Sequence, residues 1–155
     1  ADIELVFREM AEQVAIRLRR KKKKSQLVSI HASYSKIEGL PSIHCQQKIE
    51  PTQSTKVLSD TVLRLFRSKY EGGAIRQIGV FYGELVEESL QLFSLFDDPV
   101  ALEKEEKLQQ TIDRIRDQFG FTSLQKGSSL LENSRAIARS KLTGGHSVGG
   151  LDGLT

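Results

Sequence analysis

Apolar residues recur at helical spacing in two stretches of the first half of the chain. The first stretch, over residues 2–20, predicts a helix with one apolar stripe. That stripe consists of Ile3, Phe7, Met10, Val14 and Leu18. A second helix can be capped by Ser54 or Thr55 and stops at Gly72 and Gly73. Its stripe consists of Leu58, Val62, Leu65 and Phe66. Each helix is therefore predicted to bury one face.

Between the two helices, apolar and polar residues alternate strictly, which predicts a hairpin with a turn at residues 39–41. The alternating apolar residues are Val28, Ile30, Ala32 and Tyr34 before the turn, and Ile43, Cys45 and Ile49 after it. Pairing Ile30 with Cys45 and Ala32 with Ile43 puts both apolar sets on one side. The opposite side then carries many hydrogen-bond donors and no carboxylate. Its residues are Ser29, His31, Ser33, His44, Gln46 and Lys48.

A third strand is predicted over residues 74–82. Ile78, Val80 and Tyr82 can point to the core, while Gln77, Gly79 and Phe81 share the other side. The order of helix, two strands, helix and strand favours an α+β fold, in which an antiparallel sheet is covered by two helices on one face. The other face of the sheet is expected to stay open.

The second half of the chain has a different pattern. Asp97 and Asp98 followed by Pro99 predict the start of a third helix, which ends at Gly120. Its apolar stripe consists of Leu108, Ile112, Ile115 and Phe119. A shorter helical pattern follows over residues 131–142. The segment 144–155 holds five of the 12 glycines, so we expect it to be disordered.

The charge is divided between the two halves. Residues 1–83 hold 15 Lys and Arg against 8 Asp and Glu, whereas residues 84–155 hold 8 against 12. The most basic stretch is residues 17–24, which we expect at the end of the first helix; its cations are Arg17, Arg19, Arg20, Lys21, Lys22, Lys23 and Lys24. A basic surface gains counterion-release free energy on nucleic acid and an acidic one does not, so only the first half is expected to face a polyanion.

Most catalytic chemistry finds no support in the sequence. The single cysteine, Cys45, excludes an internal disulfide and multi-cysteine zinc sites. No G-x-S-x-G elbow or P-loop is present. His31 and His44 could be neighbours across the hairpin, but two imidazoles are fewer than the three or four ligands of a stable zinc site. No apolar window reaches membrane-spanning length, so we expect a soluble, cytoplasmic protein that does not bind a membrane.

Four stretches carry a resemblance when they are taken in order: residues 74–80 (AIRQIGV), 91–98 (QLFSLFDD), 112–120 (IDRIRDQFG) and 141–146 (KLTGGH). Together with the order of helices and strands, they resemble the C-terminal region of Y-family translesion DNA polymerases of the UmuC, ImpB, MucB and SamB type. The resemblance covers nearly residues 2–146. It identifies the chain as a fragment of an error-prone repair polymerase of the SOS or UV-damage type.

The resemblance implies four segments. Residues 1–86 would be most of the little finger, the DNA-binding domain of these polymerases, and residues 87–99 a linker that binds the sliding clamp. Residues 100–143 would be a helical tail before the disordered end at 144–155. Catalysis in such enzymes belongs to palm-domain carboxylates that hold Mg²⁺. Because the chain has no counterpart of them, we expect no catalytic residue, no metal site and no cofactor in this fragment.

The resemblance also implies where DNA binds. The open sheet face would hold a template-primer duplex through the backbone, without reading its sequence. By position, the contact residues would be Ser29, His31, Ser33, Ser42, His44, Gln46, Lys48, Arg76 and Gln77, besides the basic stretch 17–24. An ordinary solvated sheet face is the alternative, since antiparallel sheets commonly expose one side.

The clamp-binding peptide of this family has the usual pattern Gln-Leu-x-Leu-Phe. Here one extra residue separates Gln91 from Leu95 and Phe96, so either the spacing is six residues or Leu92 takes the glutamine position. In both cases Leu95 and Phe96 would be the anchors. The alternative is that the apolar run simply packs into the protein's own core.

The family sheet has four strands, and its first strand precedes the first helix. Because three strands are recognised here, residues 74–82 are expected to form an unsatisfied sheet edge. The rest of the polymerase, or a second copy of this chain, could pair there. The competing interpretation of the whole chain is therefore a non-enzymatic interaction module that dimerises through this edge and does not bind DNA.

Overall fold

The computed structural model of the protein describes residues 2–88, 99–143 and 146–147. The helices in these residues are α1 (Asp2–Arg20), α2 (Thr55–Lys69), α3 (Pro99–Phe119) and α4 (Ala136–Ser140). The strands are β1 (Lys23–Tyr34), β2 (Ile43–Thr52), β3 (Ile75–Gly83), β4 (Val86–Glu87), β5 (Leu142–Thr143) and β6 (His146–Ser147). Two 3₁₀ turns, Phe121–Ser123 and Gly127–Leu130, connect α3 to α4. None of these helices combines the length and apolarity that crossing a membrane requires.

The predicted α+β fold is confirmed. β1 lies in the middle of an antiparallel sheet, with β2 on one side and β3 on the other, and the short β4 also pairs with β1. The predicted register is confirmed as well, because Ile30 is opposite Cys45 and Ala32 is opposite Ile43. On the other side of β1, Ile30 is opposite Val80. The apolar positions of three strands therefore point to one side of the sheet.

Helices α1 and α2 cover that side and form the core. Phe7 of α1 and Phe66 of α2 are almost completely buried, and their ring centroids are 4.8 Å apart. Burying side chains of this size stabilises the fold by about 2–3 kcal/mol each. Within α1, Ala11 and Ala15 are fully buried, and small side chains there let the helix lie close to its neighbours. Met10, which the predicted stripe included, is only half-buried.

The ends of the helices follow from local chemistry. Ser54 caps α2 as predicted, since its Oγ accepts a hydrogen bond from the Val57 N–H at 3.3 Å. Gly120 follows α3 with φ near 96°, a conformation that favours glycine. α1 spans the predicted residues 2–20, but Lys23 and Lys24, which were expected at the end of this helix, belong to β1. Pairing with β4 explains the longer strand, since Lys23 is opposite Glu87.

The C-terminal region packs on α1. Glu9 is buried and accepts hydrogen bonds from Ser134 Oγ and the Arg135 N–H. Arg116 of α3 forms an ion pair with Glu12 at 2.9 Å, and its guanidinium lies 4.7 Å from the centroid of the Phe121 ring. A second, small apolar cluster consists of Ile16, Phe121 and Ala136. α1 is therefore in contact on two faces, one toward the sheet and one toward the C-terminal region.

The predicted segment boundaries are only partly covered by the structure. β4 continues the sheet to Glu87, one residue beyond the predicted end of the first segment at 86. Most of the predicted linker, residues 89–98, lies outside the described residues. Within the tail that was expected to be disordered, His146–Ser147 pairs with Leu142–Thr143 as a short antiparallel ladder.

Tyr82 gives a test of the core. Its hydroxyl is buried and donates a hydrogen bond to the Ala11 carbonyl at 3.0 Å. Burial raises the pKa of this phenol, with the positive charge of Arg19 opposing the shift. The folded protein therefore keeps the proton to a higher pH than the unfolded chain does. The resulting stabilisation is complete below the ordinary phenol pKa of about 10 and is lost as the pH rises above it.

We expect Tyr82→Phe to lower the free energy of unfolding by about 1 kcal/mol near neutral pH, because the hydrogen bond is lost. The difference between the two proteins should shrink above about pH 10, since phenylalanine has no proton to release. Urea unfolding followed by circular dichroism at both pH values measures this. If the difference in unfolding free energy stays constant or grows at alkaline pH, the buried hydroxyl of Tyr82 does not keep its proton in the folded protein as inferred.

Candidate nucleic-acid interface

The uncovered face of the sheet brings together the polar residues predicted from the two strands of the hairpin and from β3. In the described part of the chain, α1 and α2 lie on the opposite face, and the C-terminal region contacts α1. Every side chain of the predicted set on this face is half-buried or exposed. The set consists of Ser29, His31 and Ser33 on β1, His44, Gln46 and Lys48 on β2, and Gln77 on β3.

The pairing of the strands arranges this face in rows. His31 lies between His44 of β2 and Gly79 of β3, and the two imidazole centroids are 4.5 Å apart. The next row places Ser29 between Gln46 and Phe81. The predicted contact of the two histidines is thus present. Among the described residues, no cluster of three or more His, Cys, Asp or Glu that could hold a metal ion is formed.

One prominent residue of this face was missing from the predicted site. Phe81 has 64% of its surface exposed, although it is a large apolar residue. A Cβ added at Gly83 would lie 3.2 Å from the Phe81 ring and 3.3 Å from the Leu27 side chain, so both side chains lie over that glycine. The sequence held a signal, because Phe81 is an apolar residue at a position of β3 that alternation assigns to the open side.

The ends of the face carry charge. Lys48 lies at one end, where Glu84 Oε1 is 3.8 Å from its Nζ. The expectation of a face without carboxylates is corrected at this point, since the turn after β3 brings Glu84 next to Lys48. Both side chains are largely exposed, so the pair contributes little to stability. Arg76 and Ser42, both exposed, lie near the other end, at the start of β3 and just before β2.

The basic stretch 17–24 does not form one exposed cationic surface. The Arg19 side chain is only 7% exposed and forms a two-point ion pair with Asp113 of α3, at 2.5 and 3.0 Å. It also donates hydrogen bonds to the Gln53 carbonyl and to Thr55 Oγ1. In this structure α3 and the start of α2 occupy the donors of Arg19, so its predicted contact with DNA stays a prediction that the geometry does not favour.

Other cations of the stretch also differ from the expectation. Arg20 pairs with Asp117 at 2.8 Å, and Lys23 pairs with Glu87. Lys24 is buried, so it is not a surface cation. The exposed cations that remain are Arg17, Lys21 and Lys22. The acidic second half of the chain thus neutralises part of the basic first half.

A groove of about 950 Å³ lies between β2, the start of α2 and α3. Its charged lining is mixed, since cations such as Lys48 and Arg64 are opposite glutamates of α3. Ser54 Oγ donates a hydrogen bond to Glu105 across one side of it. Because both signs of charge are present, this groove is less suited to a polyanion than the open sheet face.

The predicted clamp-binding residues Gln91, Leu92, Leu95 and Phe96 lie outside the described residues. The open sheet face is thus the candidate site whose geometry is known.

Comparison with known proteins identifies the family. A sequence profile of the impB/mucB/samB family C-terminal domain matches residues 1–95. The chain belongs to the impB/mucB/samB family. The family resemblance found in the sequence is therefore confirmed, and the matched region contains α1, α2 and the whole four-stranded sheet.

Curated relatives extend the likeness over most of the chain. A Bacillus subtilis protein named for UV-damage repair, UvrX, is 32% identical over 146 residues, which cover 94% of this chain and 35% of that protein. Proteins named DNA polymerase IV 2 from Bacillus subtilis and Halalkalibacterium halodurans are each 30% identical over the same shares. The chain spans about a third of the length of these relatives. No solved structure matches it significantly.

Two ion pairs between α1 and α3, one buried and one exposed, can be compared by removing the aspartate of each. We expect Asp113→Ala to lower the free energy of unfolding by about 2 kcal/mol, because it removes the carboxylate from a buried guanidinium. Asp117→Ala removes the exposed partner of Arg20 and should change it by less than about 1 kcal/mol. Urea unfolding measures both. Equal losses of unfolding free energy in the two variants would show that the burial of Arg19 does not strengthen its ion pair.

Proposed function

We propose that this chain is the DNA-binding and clamp-docking C-terminal part of an error-prone translesion DNA polymerase of the SOS or UV-damage response. In this proposal it contributes no catalytic residue and no cofactor site, and Mg²⁺ chemistry belongs to the palm domain of the whole enzyme. The protein would act in the bacterial cytoplasm, at the nucleoid. Membership of the impB/mucB/samB family and the names of the relatives support this assignment.

The open sheet face is the observation that supports DNA binding best. It offers hydroxyl, imidazole and amide donors on adjacent strands, and these are the groups that bind phosphate and sugar oxygens. The row with Ser33 and the row with Leu27 lie six residues apart on β1, which corresponds to about 20 Å. That length exceeds the roughly 12 Å width of the DNA major groove. The face can therefore reach phosphates on both sides of a groove.

A cation lies near each end of the face, which is consistent with contacts to phosphates on both sides of a groove. Lys48 lies in the row of Leu27, and Arg76 precedes Gln77, which lies in the row of Ser33. Contacts of this kind hold a duplex without reading its sequence, because phosphates are the same at every base pair. A polymerase that copies damaged templates needs such sequence-independent binding, since the sequence and the lesion vary.

We expect the double variant Lys48→Ala/Arg76→Ala to lower the salt dependence of duplex binding. The slope of log K against log salt concentration should decrease in magnitude by about 2, because each lost phosphate contact removes about 0.9. Fluorescence anisotropy of a labelled template-primer duplex, titrated at several salt concentrations, measures the slope.

The matched control is Lys104→Ala/Arg114→Ala, which removes two exposed cations from α3. This variant has the same net charge but should keep the wild-type slope. An equal decrease in both variants would indicate that net charge, and not the open face, determines binding. If the wild-type protein binds no duplex even at low salt, the proposal of DNA binding is abandoned.

In that case the second candidate applies, which is self-association without DNA. β3 is an edge strand of the sheet, which supports pairing with another strand, either from a second copy or from the rest of the polymerase. Light scattering of the DNA-free protein distinguishes a dimer from a monomer.

We further propose that residues 91–96 dock on the sliding clamp. Leu95 and Phe96 would fill an apolar pocket of the clamp, while Gln91 or Leu92 fixes the register of the peptide. The support is the sequence pattern QLFSLF, which lies at the C-terminal end of the matched family domain, just before α3.

We expect Leu95→Ala/Phe96→Ala to abolish capture of a purified bacterial sliding clamp in a pull-down, since both anchors are removed. The control is Leu108→Ala/Phe119→Ala, because these two side chains on α3 are also exposed, at 62% and 68%. This control variant should capture the clamp as the wild-type protein does. Undiminished capture by Leu95→Ala/Phe96→Ala would overturn the docking proposal.

A further inference from the structure

Three ring-bearing side chains lie on neighbouring strands of the open face. His44 on β2, His31 on β1 and Phe81 on β3 all have their side chains on this side of the sheet. The first two form the imidazole pair, and Phe81 is in the adjacent row. The histidines can donate hydrogen bonds to phosphates, so phosphate binding accounts for their presence on this face. It does not account for an exposed phenyl ring in the adjacent row.

The exposure of Phe81 is unfavourable in the isolated chain, since apolar surface in water costs about 25 cal/mol per Å². A phenyl ring has no donor for a phosphate oxygen. It gains free energy when another flat ring covers it, as a nucleobase does in stacking. In a duplex the base faces are already stacked on one another, so only unpaired bases can offer theirs.

Gly79 leaves space beside these rings. It lies next to His31 and two residues before Phe81 on β3, a separation of about 7 Å. Its φ is outside the left-handed region, so the backbone there does not require glycine. A Cβ would lie 3.8 Å from the His31 Cβ, an ordinary contact, so packing does not require glycine either. The missing side chain leaves an open floor at the β3 end of the histidine row, one row away from Phe81.

Charge around the floor favours a nucleic acid over an apolar or acidic ligand. The described charged residues near the rings by strand position are Glu84, which follows β3, and the two cations Lys48 and Arg76; Glu84 lies 3.8 Å from Lys48. A strand of unpaired nucleotides could place its phosphates toward the cations and its bases over the rings. Sheets that bind single strands combine these two features.

We propose that the open face also binds unpaired nucleotides, with a base stacked on Phe81 and a neighbouring base over the floor at Gly79, against His31 and His44. The inference rests on the proposed function only in that the same face meets DNA. It adds a ligand class, single-stranded template, and names a stacking residue.

The test compares three labelled probes by fluorescence anisotropy: a blunt duplex, an oligothymidylate, and an abasic strand of the same length. The abasic strand keeps the phosphates and lacks the bases. We expect the wild-type protein to bind the oligothymidylate about ten-fold more tightly than the abasic strand. Phe81→Leu, which keeps an apolar side chain and removes the ring, should reduce that preference to about two-fold or less.

Two further variants sharpen the test. Gly79→Val fills the floor and should weaken oligothymidylate binding as Phe81→Leu does, while Phe119→Leu, at a phenylalanine on α3 that is 68% exposed, should have no effect. Duplex affinity should stay within about two-fold of wild type in all three variants, and thermal melting by circular dichroism verifies that each is folded.

Each outcome decides between the proposals. Equal binding of the oligothymidylate and the abasic strand by the wild-type protein would overturn the stacking proposal. Duplex binding without single-strand binding would also overturn the stacking proposal, but it would leave the proposed duplex binding by the open face unaffected. Loss of duplex and single-strand binding to the same extent in folded Phe81→Leu would show that Phe81 supports the face generally and does not stack a base. Binding of none of the three probes would overturn both proposals.

Discussion

The position of β1 in the middle of the sheet is the constraint on which the molecule depends. Both of its edges are hydrogen-bonded, to β2 on one side and to β3 and β4 on the other. One of its faces is completely covered, since Val28, Ile30 and Ala32 are buried under α1 and α2. Because side chains alternate, the same strand must then present Ser29, His31 and Ser33 on the other face. A slip of one residue would exchange the core with the open face.

Much of this arrangement could be predicted from local pattern. The register of the hairpin, the serine cap of α2 and the start of α3 at Pro99 depend on residues close together in the sequence. The open face was predicted for the same reason, because alternation along each strand decides which residues share a side. Phe81 was assigned to the correct side, but its significance became visible only with its exposure and with the glycines beside it.

The contacts of α1 with the C-terminal region could not be predicted in this way. Arg19 and Asp113 are 94 positions apart in the sequence, and nothing local selects one among many carboxylates as the partner. Glu9 and Gln13 belong to a polar side of α1 that looks solvent-exposed in the sequence, yet both are buried. A buried carboxylate needs specific donors, and Ser134 and Arg135 supply them from the far end of the chain.

Arg19 also links the family domain to the helix that follows it. The match to the family domain ends at residue 95, but both the start of α2 and α3 contact this guanidinium, and of these two only α3 gives it a negative charge. A shorter polypeptide that stopped at the domain boundary would keep the carbonyl and hydroxyl acceptors of Arg19 and lose its carboxylate partner. The stability of the family domain therefore depends in part on an ion pair with a helix that lies outside it.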